Sequence, residues 1–335
     1  MIDVNVSVFG ILMCCDESIL GLNLGHGYSI AKMKYEDIPV KDKISDGNGH
    51  LSTDYFGSRI IEPDGVYFMC IRKGDAFQIN GIELSGHMQI ITDENIMCAE
   101  ELSAYTDSEM DYLNEQVNLC RLFHAGNIGF RDVFFTYHHR VLGINNTFNN
   151  NRHNQTRNVI DNRRWHLCDD ELSAANQWLS DYAGTPYSVL KSCIDMFSWG
   201  LEQIDPATGF EKYTTALEMV LLETDAQAKK QKIANRTSVL IGSDNTEITT
   251  IHQKMLSYYR YRSESLHEGD DSNISDAELK ELEEITRRVL KKVLIRCKAE
   301  ITNEPCITWG GIKDGIINDL ISHVSSLKST GVLPS

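Results

Sequence analysis

The strongest candidate for a chemical site is the segment Arg262-Ser263-Glu264-Ser265-Leu266-His267, at the end of a helix predicted over residues 247–266. Arginine can bind an anionic group through its guanidinium, and histidine can exchange a proton near neutral pH. On a helix of about 3.6 residues per turn, positions five apart diverge by roughly 140°. Arg262 and His267 are therefore expected to converge only if the helix frays near Leu266. Gly269 favours such an end.

Other interpretations of this helix remain open. The same spacing fits a solvated helix end at which His267 interacts with the helix dipole. Arg260 and His267 are seven residues apart and share one helical face, so they form an alternative pair if the helix continues. Tyr258, Tyr259 and Tyr261 could stack on nucleic-acid bases. A tyrosine stripe at helical spacing is more often part of a core or a dimer surface, and we favour that interpretation.

The wider context of this segment carries a family resemblance. It comprises Ala216-Leu217-Glu218, then Lys232 to Thr237, then Tyr259 to Gly269. This ordered set resembles the HEPN superfamily, and most closely the branch of ApeA-type phage-defence proteins. Their helical domains carry Ala-Leu-Glu on an early helix and an arginine on the next. They then end a helix in Tyr-x-x-Arg-Ser-x-x-x-His-Gly. Here Glu268 separates the histidine from the glycine. The resemblance covers about residues 186 to 300.

The resemblance implies a metal-independent endoribonuclease, in which the RNA 2′-hydroxyl attacks the adjacent phosphorus. His267 would then act as general acid or base, and Arg262 would hold the phosphate and stabilise the charge on its oxygens. In many family members two such helices meet across a dimer and form one composite cleft. The resemblance also implies RNA as the partner, with tRNA as one candidate, a homo-oligomer formed through the helical domain, and a toxin-like role in antiphage defence.

Three further residues could support this site. Ser263 could orient the phosphate or the imidazole, although a plain capping role fits it equally well. Arg236 is expected to be buried in an ion pair, for instance with Glu218, rather than to act in catalysis. Arg260 belongs to the alternative pair. A rival hypothesis is a catalytically silent HEPN module that serves assembly or nucleotide binding, and both Glu268 and the acidic charge of the chain leave room for it.

Composition sets limits on the partners and the compartment. The 335 residues predict about two domains, and a net charge of −16 disfavours broad nonspecific binding to nucleic acid or to an anionic membrane. Nine cysteines with irregular spacing and no C-x-x-C indicate reduced thiols in the cytosol. The start lacks the basic region of a secretory signal, and no apolar stretch is long enough to span a bilayer. We expect a soluble cytoplasmic protein with no membrane partner.

Neither a metal site nor a cofactor is expected. The histidines of the first half match no established ligand spacing, and these are His124, His138, His139, His153 and His166. Pro63-Asp64 followed by Cys70-Ile71-Arg72-Lys73 only superficially resembles the core of a magnesium nuclease, because the acid two residues before the lysine is absent. A metal nuclease in the first half is therefore the weakest of the three functional hypotheses.

The predicted fold class is α+β, with a β-rich N-terminal domain over residues 1–183 and an all-α, HEPN-like helical bundle over residues 184–335. Alternating apolar residues predict strands near residues 2–8, 65–71 and 77–84, and Asn80-Gly81 predicts a hairpin turn. A helix is predicted over residues 107–124. Thr185-Pro186, Asp205-Pro206 and the capping box Ser275-x-x-Glu278 predict helix starts in the second half.

Residues 144–167 are predicted to form an exposed loop, because no helical or strand period runs through them. The segment holds eight asparagines, and its four arginines, Arg152, Arg157, Arg163 and Arg164, face a single acidic residue. These arginines, together with Tyr259, are the candidate RNA-binding residues outside the proposed catalytic pair.

If this loop guides RNA, replacing all four arginines with glutamine will weaken RNA binding and reduce its salt dependence. Each lost phosphate contact lowers the slope of log affinity against log salt by about 0.7 for a single strand. Binding titrations at several salt concentrations measure both quantities. An unchanged affinity and slope would identify the segment as a plain solvated loop.

Overall fold

The computed structural model describes residues 2–39, 66–79, 93–139, 145–151, 164–224 and 226–334. In these ranges it contains one five-stranded antiparallel sheet and eight α-helices, so the architecture is mixed and consistent with α+β. The chain divides into two compact units. The first comprises Met1–Cys120 and Gly126–Ser180, and the second comprises Arg121–Ala125 and Asp181–Ser335.

The sheet belongs to the first unit. Its strands are β1 (Ile2–Met13), β2 (Ser29–Lys34), β3 (Val66–Ile79), β4 (Gly129–His139) and β5 (Asn145–Asn151), in the spatial order β2-β3-β1-β4-β5. The central strand β1 begins with the alternating valines that predicted a strand, and it pairs antiparallel with β3 and with β4. A small core of Phe9, Ile11, Ile38, Ile71 and Phe134 packs on the sheet.

Two helices accompany the sheet, α1 (Asp93–Phe123) and α2 (Leu172–Tyr182). Indole groups join neighbouring segments of this unit. Trp165 is fully buried and donates its Nε1–H to the carbonyl of Cys120, while Trp178 donates to the carbonyl of Leu119. Both bonds reach carbonyls in the last turns of α1.

Several predictions for the first half need correction. The helix predicted over residues 107–124 begins at Asp93, and its last residues, from Arg121, belong to the second unit. The segment 144–167 is not a continuous loop, because residues 145–151 pair with β4 through asparagine-rich backbone, which no side-chain period reveals. Trp165 and Leu167 are buried rather than exposed. The predicted turn at Asn80-Gly81 lies outside the described residues.

The second unit is helical. Its helices are α3 (Thr185–Glu202), α4 (Pro206–Leu221), α5 (Lys229–Ile241), α6 (Asn245–Glu268), α7 (Asp276–Asn303) and α8 (Trp309–Ser329). Apolar faces of these helices bury a common core, which includes Phe197, Leu217, Met255, Leu282 and Val289. Helix α4 packs against α3, α7 and α5, and α5 packs along α6.

Local capping chemistry fixes several of these helix ends. Asp205 and Ser275 accept hydrogen bonds from backbone N–H groups in the first turns of α4 and α7, as predicted. Gly269 ends α6 in the left-handed conformation, with φ of 67°. The predicted cap at Thr185 is wrong by one residue, because Gly184, with φ of 76°, precedes the helix and Thr185 is its first residue.

A buried ion network ties the end of α1 to the helical unit. Arg121 donates to Glu202 at 2.9 Å, and Arg287 donates through Nε to the carbonyl of Arg121 at 2.9 Å. Arg287 also binds Glu283, and both side chains are almost fully buried. Removing one partner of such a pair leaves a charge without compensation inside the protein.

No helix in the described ranges has the length and apolar character to cross a membrane.

A buried histidine makes the stability of the helical unit sensitive to acid. His252 on α6 is fully buried, its Nε2 lies 3.0 Å from Gln231 Nε2, and its Nδ1 has no hydrogen-bond partner in the described structure. Burial, and secondarily the charge of Lys328, lower the pKa of His252. As the pH falls below the usual histidine value of about 6.5, the unfolded chain takes up this proton before the folded chain does, so folding loses stability.

His252→Leu is therefore expected to retain more of its free energy of unfolding than the parent protein between about pH 7 and about pH 5. Urea unfolding at both pH values measures the difference. His323 is exposed, so His323→Asn provides the matched control and should follow the parent. Equal pH dependence in all three proteins would refute a role for His252.

Candidate functional site

Arg262 and Tyr259 both bind the carboxylate of Glu218. Arg262 Nη1 donates to Glu218 Oε1 at 2.9 Å, and these two side chains are 20% and 17% exposed. Tyr259, one turn earlier on α6, donates its hydroxyl to the same carboxylate oxygen. The Arg262 guanidinium carbon also lies 5.6 Å from the centre of the Tyr259 ring. Glu218 on α4 thus binds the tyrosine and the arginine of the Tyr-x-x-Arg part of the motif.

The Tyr259 hydroxyl stays protonated in this arrangement. Burial, followed by the hydrogen bond to Glu218, raises the pKa of Tyr259. Tyr259 therefore acts as a neutral donor that fixes the carboxylate. It is packed inside this cluster rather than displayed for base stacking, which fits the interpretation of the tyrosine stripe that we favoured.

His267 lies on a different side of α6 from Arg262. The helix does not fray near Leu266, because it continues to Glu268, and the Gly269 N–H bonds back to the carbonyls of Glu264 and Ser265. The condition for convergence of Arg262 and His267 within one chain is therefore not met. His267 is exposed, and within the described residues it makes no hydrogen bond or ion pair.

A cavity of about 220 Å³ opens beside Arg262. Its lining is partly apolar, with Phe210, Leu266 and Ile274. Its acidic lining residues are Asp205, Glu211 and Asp271. Arg262 is the only basic residue among those lining this cavity, so the cavity itself is an unfavourable place for a phosphate.

Two of the residues proposed to support the site, Ser263 and Arg260, are exposed on α6. Arg260 has its Nε 3.5 Å from Glu264 Oε1 and its guanidinium 5.2 Å from the Tyr261 ring centre. Because α6 continues regularly to Glu268, Arg260 and His267 share a helical face, as the alternative pair requires.

Arg236 is buried in an ion pair, as expected, but its partner is Glu223 rather than Glu218. Nη1 and Nη2 of Arg236 donate to the two carboxylate oxygens of Glu223 at 3.0 and 2.6 Å, and Nη1 also donates to the carbonyl of Leu221. The hydrogen bond from Arg236 is the main cause that lowers the pKa of Glu223 to about 2. Arg236 therefore fixes the end of α4 against α5.

One contributor to the cluster was missed by the sequence analysis. Lys229 Nζ lies 4.0 Å from Glu218 Oε2, so the carboxylate that holds Arg262 also faces a lysine. The available signal was the run Lys229-Lys230-Gln231-Lys232, which combines three positive charges within one helical turn in an acidic chain.

Of the four predicted RNA-binding arginines of segment 144–167, only Arg164 belongs to the described residues, and it is exposed. Arg152, Arg157 and Arg163 lie outside the described residues. Across the described part of the chain, no group of three His, Cys, Asp or Glu side chains is arranged to hold a metal ion.

Comparison with known proteins adds no relative. The chain matches no protein-family model, no curated protein and no solved structure. Function is therefore inferred from the residues themselves and from the motif resemblance.

Replacing Arg262 should lower the free energy of unfolding more than replacing His267 or Arg260. Arg262→Ala leaves the partly buried Glu218 carboxylate with a lost hydrogen bond, which should cost about 1–3 kcal/mol. His267→Ala and Arg260→Ala remove exposed side chains and should each cost no more than about 0.5 kcal/mol. Urea unfolding tests this order, and an Arg262→Ala variant as stable as Arg260→Ala would show that the Glu218 contact contributes nothing.

Proposed function

We propose that the chain is a metal-independent endoribonuclease of the HEPN type, with Arg262 and His267 as its catalytic residues. The observation that carries the proposal is the meeting of Glu218, Tyr259 and Arg262 at one carboxylate. These residues come from two separate parts of the motif set, Ala-Leu-Glu and Tyr-x-x-Arg, which a chance resemblance has no reason to bring together. Glu218 positions Arg262, and Tyr259 positions Glu218.

The proposed reaction needs only groups that the RNA and the protein supply. The 2′-hydroxyl oxygen forms a bond to the adjacent phosphorus, and the bond from phosphorus to the 5′-oxygen breaks. His267 accepts the 2′-hydroxyl proton or gives a proton to the departing 5′-oxygen. Arg262 binds the phosphate oxygens, where negative charge grows. The products are a 2′,3′-cyclic phosphate and a 5′-hydroxyl.

A second copy of the chain supplies the missing geometry in this proposal. Within one chain, Arg262 and His267 leave α6 on different sides. In a homo-oligomer formed through the helical domain, Arg262 of one copy can lie beside His267 of a second copy. Each cleft is then composite, and a monomer is inactive.

The biological setting belongs to the same proposal. The motif resemblance supports a toxin-like effector of antiphage defence that acts on cytoplasmic RNA, with tRNA as one candidate substrate. The β-rich unit would then sense the trigger, restrain the nuclease or contribute to RNA binding.

A catalytically silent HEPN module is the second candidate, and one observation favours it. The cavity beside Arg262 presents Asp205, Glu211 and Asp271, which repel a phosphate. Because the same repulsion opposes the phosphates of a nucleotide, the observation favours a module that uses these helices for assembly, without cutting RNA, over one that binds nucleotides in this cavity.

Incubation of the purified full-length protein with single-stranded RNA in EDTA distinguishes the two candidates. The ribonuclease should cut the RNA and leave 2′,3′-cyclic ends. Arg262→Ala and His267→Ala should each lose about 10²-fold or more in rate, since acid–base catalysis alone contributes 10²–10⁴-fold. Arg260→Ala distinguishes the two possible pairs: activity should be retained if Arg262 is the catalytic arginine, and loss of activity would identify Arg260 instead.

Two results would contradict the ribonuclease proposal. A substrate with a single 2′-deoxy substitution lacks the nucleophile, so cleavage at that position would exclude the mechanism. Full activity of His267→Ala would remove the proposed proton-transfer group. Absence of cleavage by the parent protein under all conditions, with oligomerisation intact, would favour the silent module.

A further inference from the structure

The first turn of α5 concentrates positive charge where helix stability does not favour it. Lys229, Lys230 and Lys232 lie in this turn, and Ala228 before them provides no side-chain hydrogen bond as a cap. Positive charges near a helix N-terminus oppose the helix dipole, which prefers anions there. The lysines therefore reduce the stability of the helix they begin, and an anionic partner would reverse that effect.

These lysines extend the cluster around Arg262. Lys229 faces Glu218, the carboxylate that binds Arg262, at 4.0 Å. Lys232 lies 3.4 Å from Glu223, the carboxylate that binds Arg236. Among the described residues, the four cations Lys229, Lys232, Arg236 and Arg262 share the two carboxylates of Glu218 and Glu223, and Lys230 adds a fifth positive charge, so these seven side chains carry a net charge of +3.

The lysine ammonium groups are accessible, unlike the buried guanidinium of Arg236. The side chain of Lys229 is 50% exposed and that of Lys232 is 37% exposed, whereas that of Arg236 is 4% exposed. Lys230 is exposed and has no ion pair among the described residues. These groups can reach a polyanion without breaking the contacts that hold the site.

Arg262 belongs to two groups of residues with different net charge. It binds Glu218, the carboxylate that faces Lys229 in the first turn of α5, and it also lines the cavity that presents Asp205, Glu211 and Asp271. In a chain with a net charge of −16, a local positive surface determines where a polyanion can approach.

We propose that Lys229, Lys230 and Lys232 bind the phosphate backbone of single-stranded RNA and lead it to Arg262. The identity of the polyanion rests on the proposed ribonuclease function. Lysine suits this task because it binds phosphate as a flexible point charge without reading sequence. The acidic cavity keeps the strand on the α5 side, so the backbone reaches Arg262 from one direction only.

The test compares two full-length triple variants, both in a His267→Ala background that prevents cleavage. One is Lys229→Gln/Lys230→Gln/Lys232→Gln. The control is Lys191→Gln/Lys280→Gln/Lys292→Gln, which changes the net charge equally at positions on α3 and α7. Affinity for a short fluorescent single-stranded RNA of mixed sequence is measured by anisotropy over a range of salt concentrations, and unfolding curves verify that both variants are folded.

The α5 variant should bind the RNA about tenfold or more weakly at low salt. Its salt slope should fall by about 2, since each of three lost phosphate contacts contributes about 0.7. The control should match the His267→Ala parent. Equal affinity and slope in the two triple variants would overturn the proposal, as would lysine-dependent binding to anionic vesicles with no binding to RNA.

The failure of this inference can be separated from failure of the proposed function. If the protein with His267 intact cuts RNA while the α5 variant binds normally, the ribonuclease stands and the lysine surface falls. If RNA binds through the lysines but is not cut, the lysine surface stands and the ribonuclease falls.

Discussion

The Glu218 carboxylate is the group on which the geometry of the proposed site depends. It lies one turn from the end of α4, and it binds Arg262 and Tyr259 from α6 while facing Lys229 from α5. Without it, a partly buried guanidinium would carry an uncompensated charge between three helices. The same contact fixes Arg262 but neutralises part of its charge, so further cations are needed if the site is to attract a phosphate.

The second ion pair complements the first. Arg236 on α5 and Glu223, two residues beyond the end of α4, are joined by two parallel hydrogen bonds, a geometry that only arginine provides. This pair holds the segment after α4 against α5, the helix whose first turn carries the lysines. The buried network around Arg287 likewise binds the last turn of α1.

The sequence predicted the helical half better than the sheet half, for physical reasons. Caps at Asp205 and Ser275 and the left-handed end at Gly269 are local features, and the structure confirms all three. Strand β5 is built from asparagines without an alternating pattern, so only its pairing with β4 reveals it.

For the candidate site too, the sequence identified residues that local motifs reveal but not how those residues pair. Motif spacing identified Arg262, Tyr259 and Glu218, but it assigned Glu218 to Arg236. Which carboxylate meets which arginine depends on how α4, α5 and α6 pack, and one-dimensional spacing does not contain that information. The fraying of α6 that convergence of Arg262 and His267 within one chain requires does not occur, because the Gly269 cap stabilises the last turn of the helix.

If Arg262 and His267 act together from two copies of the chain, two inactive variants should complement each other. The experiment co-expresses Arg262→Ala and His267→Ala with different tags and purifies the mixed assemblies. Each variant alone should be inactive, whereas a mixed dimer contains one intact cleft. The purified mixed dimers should recover about half of the parent activity, since one of their two clefts is intact. Mixed assemblies that form and remain inactive would contradict the account.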